Sequence, residues 1–254
     1  MPSVPGAAST SVRDLVSGPL WPGLVVGVHP TCAYVLTGPH LVALESADGL
    51  GLPCAVRLGA DRAAAPFGDV RRGDPAAVGD GTVTAGQLSV RVARWWSPPL
   101  VRAGHSPARL GLLAELLEGH PSPVATELSA ADLLGRGPGL TPAGDDVLAG
   151  WLLAVHHHAE LRDPLVAVLD DLAARTTSLS AALLREAAEG RGLPAAVTVA
   201  DSVAGYGAEG DLAVAVAALL AVGHSSGLAL AHGILRGARA VAGMVGSPER
   251  MVVA

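Results

Sequence analysis

Gly135-Arg136-Gly137-Pro138-Gly139-Leu140-Thr141-Pro142-Ala143-Gly144-Asp145-Asp146 runs directly into Val147-Leu148-Ala149-Gly150-Trp151-Leu152-Leu153-Ala154-Val155. Glycines admit positive φ and close backbone approach, so the first part reads as a tight turn. Thr141 suits an N-cap and Pro142 the first helical position, so the second part reads as a helix. Two carboxylates then fall on the first turn, where the helix dipole favours negative charge. At about 100° per residue, Leu148, Trp151, Leu152 and Val155 share one face, with Asp145 about 60° and Asp146 about 160° from its middle. The two aspartates therefore address different neighbours. Gly150 and Ala154 leave the side near Asp146 narrow enough for another helix to pack closely.

Outward from this stretch the chain changes character in both directions. Residues 1–14 are rich in Ser, Pro and Ala, show no period, and read as a loose arm. Over residues 15–100 short apolar runs alternate with Gly/Pro punctuation: 24–28, 33–36, 41–44, 54–58, 82–84 and 88–92 read as strands. Such a pattern predicts a small antiparallel barrel or sandwich. Over residues 101–254 the period becomes helical, with helices expected at 110–117, 126–134, 147–159, 163–174, 194–204, 211–222 and 226–241. One more, capped by Ser178 or Ser180, runs to Gly190. Asp163-Pro164 is read as the start of its helix. The fold class is α+β: a β-rich N-terminal part followed by a mainly α-helical part that carries the glycine motif.

Composition narrows the function classes. The 254 residues carry a net charge of −6 and contain neither Lys nor Asn, so every long basic side chain is Arg and no catalytic lysine exists. An acidic chain without a basic cluster argues against nucleic acid as a partner. Mean hydropathy is positive, yet the longest apolar run, 212–222, is too short to span a bilayer. No basic region followed by an apolar core opens the sequence. Cys32 and Cys54 lie in apolar strand-like segments without metal or redox spacing and read as reduced core thiols. The expectation is a soluble cytoplasmic protein.

Several segments are candidates for chemistry. The glycine turn lacks the lysine of a phosphate-binding P-loop and follows a helix-like segment rather than a strand, which excludes both nucleotide fingerprints. It reads either as an anion or carboxylate pocket lined by N–H groups of Gly137, Gly139 and Gly144, or as a tight helix connection. Thr176-Thr177-Ser178-Leu179-Ser180 and Gly223-His224-Ser225-Ser226-Gly227 are two further polar helix starts. His224 is a possible general base, but no acid or nucleophile elbow stands at triad-like spacing, which argues against covalent serine catalysis. His156-His157-His158 cannot converge on one ion, because consecutive helical residues point about 100° apart. Trp95 and Trp96 read as packing residues.

The segment Gly137–Asp146 with its apolar helix resembles the signature of the AllH-like family, associated with oxamate carbamoyltransferase. Trp95-Trp96-Ser97-Pro98-Pro99-Leu100 is similar to that family's Trp-Asp-Pro-x-Leu joint, with Ser97 in place of Asp. Thr177-x-x-Ser180 and Gly223–Gly227 are similar to its later motifs, although Leu228-Ala229 stands where an Asp is expected. The resemblance implies carbamoyl transfer between oxalurate and phosphate within a multi-subunit enzyme, with a small carboxylate or phosphate as ligand. The site expected from it gathers Asp145, Asp146 and His224 as catalytic candidates. Gly137, Gly139, Thr141, Gly144, Thr177, Ser180, Ser225, Ser226 and Gly227 are its ligand-binding candidates. Mg²⁺ is a possible companion of one aspartate. The alternative is a non-catalytic scaffolding subunit that senses a small carboxylate.

Overall fold

The structure, a computed structural model, describes residues 3–125, 129–208 and 210–245. The chain divides into two compact units, Met1–Pro99 and Leu100–Ala254, of β and α character respectively.

In the first unit, eight strands among the described residues close a barrel in the order β1-β5-β4-β3-β2-β6-β7-β8. They are β1 Val4–Ser9, β2 Trp21–His29, β3 Cys32–Thr37, β4 His40–Glu45, β5 Ala55–Leu58, β6 Pro75–Gly79, β7 Thr82–Ala85 and β8 Leu88–Trp96. A short helix, α1 (Arg13–Ser17), follows β1. Two antiparallel meanders, β2-β3-β4 and β6-β7-β8, supply most of the wall. The core is made of β-branched and small side chains: Val35, Val42, Val56, Val78, Val83 and Val90 are fully buried. Strands of this composition suit a pleated, packed surface.

Two strands depart from the expectation. Residues 4–9 are no loose arm: β1 pairs antiparallel with β5 and parallel with β8, and so closes the barrel. Its residues are small because the space is small. A Cβ on Gly6 would lie 2.7 Å from the Val90 side chain, so the closing strand carries no apolar period. β6, Pro75–Gly79, lacks one for the same reason of small, mixed composition. Cys32 and Cys54 are buried free thiols. Trp96 donates its indole N–H to the Ala7 carbonyl at 3.1 Å, and the Arg13 guanidinium lies over Trp95 at 4.6 Å.

The second unit contains α2 (Pro107–Leu116), α3 (Ala130–Leu133), α4 (Ala143–Val155), α5 (Ala159–Leu172), α6 (Ser178–Ala188), α7 (Pro194–Ala204), α8 (Asp211–Leu220) and α9 (Ser226–Val245). α4 is its centre. Eleven of its thirteen residues are buried, which is what a helix apolar on nearly all sides requires. It packs along α9 and against α6. Gly150 of α4 abuts the Leu230 carbonyl, and Gly233 of α9 abuts the Val147 carbonyl. The two backbones approach closely through these bare positions, while Leu152 and Ile234 fill the adjoining core.

Boundaries moved at three places. The helix expected over 126–134 falls partly on residues outside those described, and its remainder is the four-residue α3 capped by Ser129. α4 starts at Ala143 and stops at Val155, so His156-His157-His158 form a turn rather than a last helical turn. α5 then begins at once, with the His158 carbonyl accepting from Leu161 and Arg162 at 3.0 Å each. Pro164 consequently sits inside α5 instead of opening it.

Candidate functional site

Three chain segments meet at the start of α4. Thr141 Oγ1 lies 2.9 Å from Ser226 Oγ, linking the glycine turn to the first residue of α9. Thr177 Oγ1 donates to the Leu140 carbonyl at 2.5 Å and, as the N-cap of α6, accepts from Ser180 N at 3.0 Å. Thr176 Oγ1 donates to Asp145 Oδ2. The glycine turn is thus tied to the hydroxyl run on one side and to the α9 start on the other.

The two aspartates have separate duties in this arrangement. Asp145 is 2 % exposed, and both its oxygens are engaged: Oδ1 accepts from Gly135 N at 2.7 Å, Oδ2 from Thr176. It holds the glycine turn onto α4. Asp146 is 6 % exposed, and its Oδ2 makes no hydrogen bond. Burial pushes the Asp146 carboxyl up to about 7; the Ser226 and Thr141 hydroxyls beside it pull back, and the Asp145 charge pushes further up. With Asp145 saturated, the pair does not fit a shared Mg²⁺ ion, which demands a full shell of oxygen ligands. Among the described residues no group of three or more His, Cys, Asp or Glu side chains is placed to hold a metal ion.

The glycines divide as well. Gly137 and Gly139 are exposed at φ +124° and +92°, conformations that favour glycine. Among the described residues their N–H groups, and those of Leu140 and Thr141, donate to no protein acceptor. Gly144, expected to hold an anion, donates its N–H to the Arg136 carbonyl at 2.9 Å and is bare because it abuts the Leu133 carbonyl. Gly227 is bare because it abuts the Leu219 carbonyl at the end of α8.

Other expectations need correction in detail. Thr141 does not cap α4. Pro142 occupies the N-cap position with extended ψ of 138°, so Thr141 stands one residue outside the helix and turns to Ser226. The cap of α6 is Thr177, one residue before the expected Ser178. Ser225 offers the carbonyl that receives the first bond of α9, from Ala229 N at 2.9 Å, and Ser226 is the helix's first residue. Ala229, at the position where the resemblance expects Asp, is fully buried. His224 is exposed in its turn and makes no hydrogen bond among the described residues; it is not drawn in with the aspartates. Ser180 Oγ is buried, at 2 % exposure, and has no partner. The histidine run disperses: His156 Nδ1 is 3.1 Å from the Ala188 carbonyl, His157 Nε2 3.1 Å from that of Val101. Thr176 and Gly135, absent from the expected site, prove to be the partners of Asp145; their signal was the surplus of hydroxyls before α6.

A cavity of about 470 Å³ lies between α3, α4 and α5, lined by Val147, Leu148, Trp151, Leu165 and Arg236 among others. Thr141, Asp145 and Asp146 do not line it.

The raised Asp146 titration has a consequence for stability. The folded state holds this proton up to about pH 7, whereas an unfolded aspartate releases it near 3.9. The contribution is therefore complete below about pH 4 and is lost as pH rises through about 7. Glu45 of the barrel, buried and also pushed up to about 7, acts in the same direction. Thermal melting of the wild type and Asp146→Asn isolates the first term. The wild-type Tm, relative to the variant, should rise as pH falls from about 8 to about 5. A difference independent of pH would refute the shift.

A family model described as oxamate carbamoyltransferase subunit AllH matches residues 133–238. The matched segment runs from the end of α3 into α9 and contains every contact of the site described above. No solved structure matches the chain.

Proposed function

We propose that this chain, with its AllH-family segment over residues 133–238, is one subunit of an oxamate carbamoyltransferase and binds a small carboxylate where α4, α6 and α9 begin. The reaction that the resemblance implies joins the oxamate nitrogen to the carbamoyl carbon and breaks that carbon's bond to phosphate, the displaced N–H proton leaving with the phosphate. In the reverse direction phosphate accepts the carbamoyl group. Such a transfer needs positioning and stabilisation of anionic groups more than covalent help from the protein.

The observation that carries the reading is the 2.9 Å contact between Thr141 and Ser226. Two segments 85 residues apart present their hydroxyls to each other beside the orphaned Asp146 oxygen. The N–H groups of Gly137, Gly139, Leu140 and Thr141 would receive the ligand's carboxylate, since an exposed run of unpaired N–H groups favours anions. The hydroxyls and Asp146 would meet its other end.

A second reading, a scaffolding subunit that senses the carboxylate while a partner performs the transfer, is favoured by one observation. The Gly144, Asp145 and Asp146 N–H groups at the mouth of α4 already donate within the chain, which leaves few donors for a transferring phosphate.

The two readings separate in one assay. The purified chain, alone and together with the proteins that co-purify with it, is given oxamate and carbamoyl phosphate, and phosphate release is followed. Release that depends on oxamate and falls at least about tenfold in Thr141→Val supports the catalytic reading. Oxamate binding without an effect of Thr141→Val on turnover in the complex supports the sensing one. Failure to bind oxamate in either form rejects the site.

A further inference from the structure

The site contains one atom whose chemistry specifies what should meet it. Asp146 Oδ2, in the first turn of α4, is buried and has no hydrogen-bond partner, while the Ser226 and Thr141 hydroxyls hydrogen-bond the carboxylate they flank. Asp145, its neighbour, is saturated by Gly135 and Thr176. Thr141 and Ser226 face one another. An unsatisfied buried acceptor is costly, and native structures keep one where something else supplies the donor. The glycine turn lies against this helix start, and among the described residues its Gly137, Gly139, Leu140 and Thr141 N–H groups donate to no protein acceptor. Gly137 crosses the helix start so closely that a Cβ would come within 2.9 Å of Ala143 N, and a Cβ on Gly139 would meet nothing within 4 Å.

We infer that Asp146 is the specificity-determining carboxylate of this site, its Oδ2 reading the primary amide of the ligand by accepting one of its N–H groups. The inference rests on the proposed carboxylate site and adds to it a rule of selection. A ligand with a carboxylate at one end and an amide at the other satisfies both the free N–H groups of the turn and the orphaned oxygen. A ligand of the same shape ending in a methyl group leaves Oδ2 unpaired and desolvated. Sites built to hydrogen-bond a polar group discriminate against the analogue that lacks it far better than apolar pockets discriminate by size.

Oxamate and pyruvate form the matching pair of probes, since pyruvate carries a methyl group where oxamate carries NH₂. Calorimetric titration of the full chain at about pH 8, where the Asp146 carboxyl is ionised, should show oxamate preferred by roughly ten- to hundredfold, the range for one hydrogen bond to a charged group. In Asp146→Ala the preference should fall to about one while pyruvate affinity changes by less than about threefold. A second measurement avoids any variant: one amide proton of ¹⁵N-oxamate should be protected from exchange when bound to the wild type. A wild type that binds neither probe rejects the site itself, and the inference with it. A wild type that binds both equally, an Ala variant that keeps the preference, or bound oxamate whose amide protons exchange as in free solution overturns the inference alone.

Discussion

Gly150→Leu and Gly233→Leu, made singly, are expected to prevent the helical unit from folding. A Cβ on Gly150 would collide with the Leu230 carbonyl and lie 3.0 Å from Ile234 N, and one on Gly233 would collide with the Val147 carbonyl and lie 2.9 Å from Trp151 N. The obstacles are backbone atoms of the facing helix, so no rotamer change relieves them. α4 and α9 would have to separate, withdrawing Leu152 and Ile234, both fully buried, from their contacts. Overpacking with side-chain relief costs about 1–3 kcal/mol. Without relief the cost should exceed about 4 kcal/mol, a large part of the roughly 5–15 kcal/mol that holds a domain together. Circular dichroism melting is the measurement, with Gly111→Ala as the control. Gly111 lies within α2 and a Cβ there would meet nothing within 4 Å, so alanine should stabilise by up to about 1 kcal/mol.

This interface was partly legible in advance, since Gly150 and Ala154 on one side of α4 already require a close neighbour. The identity of that neighbour was not: Gly233 and Gly237 look unremarkable in a helix until they are seen to face α4. Residues 194–204 were legible to the residue because Pro194 and Gly205 bracket an apolar run, and both act as start and stop signals. The barrel's closing strand was hidden for a physical reason, because its tight packing demands the small residues that erase a strand's period. The site shows the same division. The roughly 100° between successive helical positions separates Asp145 from Asp146, and the structure gives them different partners. Which of them would be left with a free oxygen depends on Gly135 and Thr176, groups whose approach is set by loops that no periodicity describes.

Asp145→Ala is expected to destabilise the helical unit by about 2–4 kcal/mol, because it strands the Gly135 N–H and the Thr176 hydroxyl that now share one buried carboxylate. The corresponding fall in Tm is roughly 4–16 °C for a unit of this size. Asp145→Asn keeps the acceptor for Gly135, and the Thr176 hydroxyl can rotate to accept from the new amide, so it should lose only about 1 kcal/mol. Asp146→Ala should behave in the opposite way. Its carboxyl has one unpaired oxygen, and burial works against its charge at neutral pH, so removing it relieves a desolvation cost that offsets part of what the small cavity and the lost Ser226 and Thr141 hydrogen bonds cost. Melting curves should therefore rank the variants Asp145→Ala well below Asp146→Ala, while oxamate binding at a temperature where all are folded should rank Asp145→Asn well above Asp146→Ala. Position 145 is thus read chiefly in stability and position 146 chiefly in binding, which separates a carboxylate that shapes the site from one that uses it. If Asp145→Asn retained full stability yet lost the ligand, the assignment of the two aspartates would have to be exchanged.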